Sequence, residues 1–159
     1  MTISRSDFRK RIMKYCADSE RCTFDVLAKL DEWQVPSDEA DQILSTLYAE
    51  KFIDDRRYAK KFVTEKWRAD QWGRIKIMSA LQQKKLDNNI IHDALMTIDD
   101  GEYINGLNKL LEKKFDVKRS ENGSEDARRI MMFALSRGFE EELILEWIAK
   151  HGYDEMSDS

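Results

Sequence analysis

The sequence predicts an all-α protein. One Pro and six Gly among 159 residues are too few for the tight turns of an all-β chain. Apolar residues recur every three or four positions along almost the whole chain, the period of a helix and not of a strand. No run of β-branched residues reads as a buried parallel strand, which disfavours a doubly wound α/β sheet. Charged residues make up 36% of the chain, above the ~25% usual in globular proteins, so polar surface is large relative to core and the shape is expected to be helix-rich and elongated.

Taken in order, Phe8, Ile12 and Tyr15 step by four and three. Val26, Leu27, Leu30 and Trp33 do the same, and Ile43, Leu44 and Leu47 continue after Pro36, which precedes the acidic first turn Ser37-Asp38-Glu39. Tyr58, Phe62 and Val63 define a fourth helix, Ile77, Met78 and Leu81 a fifth, and Ile90, Ile91, Ala94 and Leu95 a sixth. The last third offers Tyr103, Leu107, Leu110 and Leu111, then Ile130, Met131, Phe133 and Ala134, then Leu143, Ile144, Trp147 and Ile148. Gly73, Asp87-Asn88-Asn89, Asp99-Asp100-Gly101, Asn122-Gly123-Ser124 and Gly138 punctuate the segments. The expectation is about nine helices joined by short turns.

The helices repeat. Leu81, Leu86 and Leu95 fall 51 residues after Leu30, Val35 and Leu44, and 53 before Ala134, Phe139 and Ile148. Ile77 aligns in the same way with Val26 and Ile130, and Met78 with Leu27 and Met131. The expected architecture is therefore three tandem three-helix repeats at 1–53, 54–98 and 99–159, each completing its neighbour's core because a unit of about 50 residues buries little alone.

Charge is segregated. Residues 15–50 carry a net −7, residues 51–86 a net +7 and residues 139–159 a net −6, within a chain whose overall charge is −4. That acidity counts against a protein that coats nucleic acid by electrostatics alone. In the basic middle, Tyr58, Ala59, Phe62 and Val63 share one side of a helix, while Arg57, Lys60, Lys61 and Arg68 share the other over about 16 Å of axis. Asp54 and Asp55 precede that helix, where acidic groups complement its dipole. The cationic side reads as a docking surface for nucleic acid or an acidic protein filament, against the commoner fate of a plain solvated face.

Catalytic and metal chemistry finds no foothold in the residue pattern. There is no phosphate-binding loop, no dinucleotide fingerprint and no His-Glu-x-x-His. His92 and His151 are far apart and read as surface or half-buried residues. Cys16 and Cys22 lack the spacing of a redox motif and any companion zinc ligands, so two reduced thiols are expected. Glu140-Glu141-Glu142 follow Gly138 at a helix start, where the dipole accounts for them. The four Trp read as core residues, with Trp72, beside Gly73 and among basic residues, the exception. A non-enzymatic protein without cofactor or metal is expected. With no signal-peptide pattern at the first residues and no apolar run long enough for a bilayer, so is a cytoplasmic location.

The residues between Phe52 and Leu86 resemble the central signature of the RecX regulatory proteins. Phe52-Ile53-Asp54-Asp55 leads into Arg57-Tyr58-Ala59, Phe62-Val63 and Arg68. After the Gly73 turn come Lys76-Ile77, Leu81 and Lys84-Lys85-Leu86. Phe133 to Phe139, with Arg137-Gly138-Phe139 at its end, is similar to the family's C-terminal Leu-x-x-Arg-Gly-Phe/Tyr element. Lys85 stands where the family usually has Gly, so a positive φ there would strain it, and Lys76 replaces the commoner Arg. The resemblance implies a curved, elongated array of three-helix repeats. It also implies a modulator of the RecA recombinase that lies in the groove of the RecA–single-stranded-DNA filament and inhibits its ATPase and strand exchange. On that reading a monomer docks through Arg57, Lys60, Lys61, Arg68, Arg74, Lys76 and Lys84, with at most weak direct contact to DNA. Two other classes stand beside it: a direct DNA binder using a basic repeat like a helix-turn-helix, and a passive helical scaffold.

Overall fold

The computed structural model describes residues 5–115 and 123–153. Among them are nine helices and no strand. They are α1 (Arg5–Asp18), α2 (Thr23–Glu32), α3 (Ser37–Ala49), α4 (Asp55–Arg68), α5 (Arg74–Gln83), α6 (Asn88–Leu95), α7 (Asp100–Phe115), α8 (Gly123–Ser136) and α9 (Glu141–Lys150). No helix among the described residues is long and apolar enough to cross a membrane. The chain forms two compact units, Met1–Phe62 with Leu81–Ala94 and Val63–Ala80 with Leu95–Ser159, so the division falls inside α4 and α5.

In the first unit α1, α2 and α3 pack against one another. Phe8, Ile12, Val26, Leu30, Ile43 and Leu47 fill the space between them, the same residues that set the helical period. Cys16 and Cys22 are free and buried. Cys22 ends the loop before α2, and its backbone N–H donates to the Asp25 carboxylate at 3.3 Å, which satisfies a donor at the helix start. Burial pushes the Cys22 thiol up to about 11. A thiol raised in the folded state stabilises the fold fully below its unfolded value near 9 and loses that stabilisation as pH rises through 11. Cys22 should therefore contribute about 2–3 kcal/mol to the stability lost in urea unfolding between pH 9 and 11, a contribution that Cys22→Ala removes. Equal slopes in the two proteins would refute it.

The aspartate pair before α4 divides its work. Asp54 accepts from the N–H groups of Arg56 at 3.0 Å and Arg57 at 3.1 Å and so caps its own helix. Asp55 reaches away instead, accepting from the Thr23 N–H at 2.8 Å and the Thr23 hydroxyl at 2.9 Å. It thereby adds a second carboxylate, beside Asp25, at the N-terminus of α2.

In the second unit α8 packs on both α7 and α9. Tyr103, Leu107, Leu111, Ala127, Ile130, Ala134, Phe139, Ile144 and Ile148 are buried. Trp147 alone of the four Trp is buried, while Trp33, Trp67 and Trp72 are half-buried. An indole is large and is therefore seldom fully enclosed.

Equivalent turns end α2, α5 and α8. Gln34, Lys85 and Gly138 have φ of 60°, 58° and 92°, and each precedes a buried apolar residue, Val35, Leu86 or Phe139. The Val35 N–H donates to the Leu30 carbonyl at 3.0 Å and the Phe139 N–H to the Ala134 carbonyl at 3.2 Å, the long bond of a left-handed helix terminus. Lys85 does adopt the positive φ that its place in the signature suggested, at a cost of about 1 kcal/mol relative to glycine. Gln34, Lys51 and Gln71 do the same. Of the five aligned apolar positions, two are not uniformly core: Leu27 and Met78 are exposed, and Leu44 and Leu95 are half-buried.

Candidate docking surface

In the first unit α4 begins at Asp55 and its apolar side, Tyr58 and Ala59, is buried, which leaves the cationic side outward. Lys60 and Lys61 are exposed on that side. Arg57 turns back toward the fold. Its guanidinium donates to Glu20 at 2.8 Å and to the carbonyls of Lys51 at 3.1 Å and Phe52 at 3.4 Å, so it ties the loop before α4 to the residues before α2. Lys84, on the turn after α5, donates to Asp25 at 2.6 Å and lies over the Phe24 ring. The Asp25 hydrogen bond holds the Lys84 ammonium above its ordinary pKa. Arg56, absent from the predicted set, pairs with Asp93 at 2.8 Å in the open.

In the second unit Arg68 ends α4 and is exposed, 3.8 Å from Glu102, a surface pair worth ~0–1 kcal/mol. Arg74 starts α5 and is the most committed of the seven. It bonds Asp100 at 2.6 Å and Glu140 at 3.3 Å, and its guanidinium lies 3.9 Å over the Tyr103 ring. Lys76 lies over Trp72, its ammonium 4.4 Å from the ring centre, and Lys66 does the same at 4.8 Å while bonding Asp70 at 3.0 Å.

The backbone that carries these groups is held from across the unit. The Gly73 N–H donates to the Arg137 carbonyl at 2.7 Å and the Ile75 N–H to the Gly138 carbonyl at 3.0 Å. The Arg137 guanidinium donates to the Asp70 carbonyl at 2.7 Å. Arg137-Gly138-Phe139 thus clamps the α4–α5 turn. Beside it a cavity of about 460 Å³ is lined by Trp67, Arg68, Gln71, Glu102, Gly106 and Phe139. No cluster of His, Cys, Asp or Glu among the described residues has the geometry of a metal site.

The structure therefore brings Arg57, Lys60, Lys61 and Lys84 into one unit and Arg68, Arg74 and Lys76 into the other. Arg57, Arg74 and Lys84 are ion-paired within their own units, and Lys60, Lys61 and Arg68 are exposed. Sequence reasoning missed two residues that shape the surface. Glu140 is more than a complement to the dipole of α9, because it also holds Arg74 and accepts from the Tyr103 hydroxyl. Lys66 reaches Trp72 only because the turn folds back, the Trp72 N–H donating to the Lys66 carbonyl at 2.9 Å. No spacing along the chain signals either contact.

A family model described as RecX, second three-helix domain, matches residues 54–95. The regulatory protein RecX of Clostridium tetani is 30% identical over 101 residues, covering 62% of this chain and 46% of its own. That of Lactobacillus johnsonii is 25% identical over 131 residues, covering 82% of this chain and 48% of its own. The chain spans about half the length of the curated relatives it matches. Among solved structures, a crystal structure of regulatory protein RecX aligns with a TM-score of 0.81 and 25% identity over 92% of this chain and 73% of that one. The fold of RecX from Lactobacillus salivarius aligns with a TM-score of 0.80 at 23% identity, over 92% of this chain and 95% of that one. Family model, relatives and solved structures point the same way and support a RecX family protein.

Proposed function

We propose that this protein is a non-enzymatic regulator of the RecA recombinase that binds the RecA–single-stranded-DNA filament and inhibits its ATPase and strand exchange. The observation that carries the reading is the position of the cations. The +7 segment of an acidic chain overlaps the residues 54–95 that match the family model, and Lys60, Lys61 and Arg68 lie exposed within it. Three tandem units, at 1–53, 54–98 and 99–159, would let one cytoplasmic monomer touch several filament subunits through weak contacts that add. Arg57, Arg74 and Lys84 serve that surface by fixing its frame, and Lys60, Lys61, Arg68 and Lys76 by meeting the partner.

RecA ATPase on single-stranded DNA, titrated with this protein at two salt concentrations, tests the proposal. Inhibition is expected, and the triple variant Lys60→Glu/Lys61→Glu/Arg68→Glu should raise the half-inhibiting concentration about tenfold or more, equivalent to ~1.4 kcal/mol. Its unfolding transition should stay within about 0.5 kcal/mol of the parent, since all three residues are exposed. Unchanged ATPase at saturating protein would refute the regulator and leave a scaffold. Tight binding to DNA without RecA, steep in salt, would replace filament docking by direct DNA binding.

A further inference from the structure

We propose that Trp72, with Lys66 and Lys76, forms a stacking platform for a base of single-stranded DNA. The proposal deepens the filament reading by assigning a contact to the filament's DNA, and it rests on that reading only for the biological setting.

Trp72 sits in the turn between α4 and α5 and is half-buried. Two ammonium groups lie over its ring, Lys66 Nζ at 4.8 Å and Lys76 Nζ at 4.4 Å from the ring centre. Both sit on flexible four-carbon stems. A cation over an indole at a partly exposed site holds it more weakly than a stacked base does, so a base can displace an ammonium. The displaced ammonium remains within reach of the flanking phosphates, where its charge releases counterions. An aromatic plate with two cations over it therefore matches the two things a single strand presents, a π-face and its flanking phosphates.

The plate is also held still. The Trp72 N–H is bonded to the Lys66 carbonyl at 2.9 Å, and the next residue, Gly73, to the Arg137 carbonyl at 2.7 Å. Lys76 itself is seated against Gly138, where an added Cβ would lie 2.3 Å from the Lys76 Cβ. A ring whose backbone is fixed on both sides loses little freedom on stacking. Asp70 is bonded to the Lys66 ammonium at 3.0 Å, so a base that displaces Lys66 leaves it beside a carboxylate.

The test uses the full chain and a dT20 oligonucleotide at low salt, without RecA, read by tryptophan fluorescence and by anisotropy of labelled DNA. Wild type should bind with quenching. Trp72→Ala should weaken binding about five- to hundredfold, and Trp72→Phe, which keeps a ring, should bind within about threefold of wild type but with the quenching lost. Lys66→Gln/Lys76→Gln should lower the slope of log affinity against log salt by about 1.4. Circular dichroism and thermal melts confirm that each variant is folded. If Trp72→Ala binds dT20 like wild type, or if folded wild type does not bind dT20 at all, the platform is wrong. RecA ATPase inhibition measured in parallel separates the two ideas: inhibition without dT20 binding sinks the platform alone, and dT20 binding without inhibition sinks the filament reading alone.

Discussion

Gly73→Ala is expected to destabilise the second unit by about 3 kcal/mol, seen as a fall of ~6–12 °C in melting temperature. A Cβ on Gly73 would lie 2.3 Å from the carbonyl carbon and oxygen of Gly138 and 2.5 Å from the Phe139 nitrogen. All three are backbone atoms, so no side chain can swing aside. Relief requires the two segments to part, which breaks the bonds from Gly73 N–H to Arg137 O and from Ile75 N–H to Gly138 O, 2.7 and 3.0 Å long. Gly138→Ala meets the same contact from the other side, with Lys76 Cβ at 2.3 Å and a φ of +92° that an L side chain resists. Because both substitutions open one contact, the double variant should fall well short of the sum of the two. A melting temperature for Gly73→Ala within 1–2 °C of the parent would show that the turn yields, and the clamp on Trp72 and Lys76 would go with it.

How much of this was legible follows from the range of each interaction. The helices were, because their period is local: Val26, Leu30, Ile77, Leu81, Ile130 and Ala134 are read at helical spacing and are all buried. The turns at Gln34, Lys85 and Gly138 were legible as aligned positions, but only the glycine announced its left-handed backbone. Gln and Lys at the other two reach the same φ because the buried residue that follows gains more than the left-handed residue costs. The cationic side of α4 was legible as a stripe, yet Arg57 leaves it for Glu20, which lies 37 residues earlier. Charge counting cannot distinguish a solvent-facing arginine from one that ties a loop. The same limit hid Asp55, which serves a helix start at Thr23, and Glu140, which reaches Arg74 across 66 residues. Leu27 and Met78 mark the opposite error, where helical register suggested core and the side chains are exposed.

Tyr103 concentrates those long-range contacts, and substitutions there should separate packing from polar satisfaction. Its side chain is wholly buried, with ring centres 5.1 Å from Trp67 and 5.4 Å from Phe139. Its hydroxyl donates to the Glu140 carboxylate and accepts from the Arg74 N–H at 2.9 Å. Tyr103→Ala removes the ring on which Arg74, Trp67 and Phe139 rest and should cost ~3–5 kcal/mol in urea unfolding. Tyr103→Phe keeps the ring but leaves the Arg74 N–H and one Glu140 oxygen unpartnered in a largely dry place, at ~1–3 kcal/mol. Glu140→Gln should cost least of the three, because its amide oxygen can still accept from the phenol while the pair with Arg74 weakens. Burial, and then Glu140, hold the phenol above its ordinary pKa, so wild type loses more stability than Tyr103→Phe as pH climbs past 10 and the unfolded tyrosine ionises. The gap between wild type and Tyr103→Phe should narrow accordingly above pH 10. A gap that stays constant, or a Tyr103→Phe variant as stable as the parent at pH 7, would mean that the hydroxyl is satisfied elsewhere and that Glu140 holds Arg74 without it.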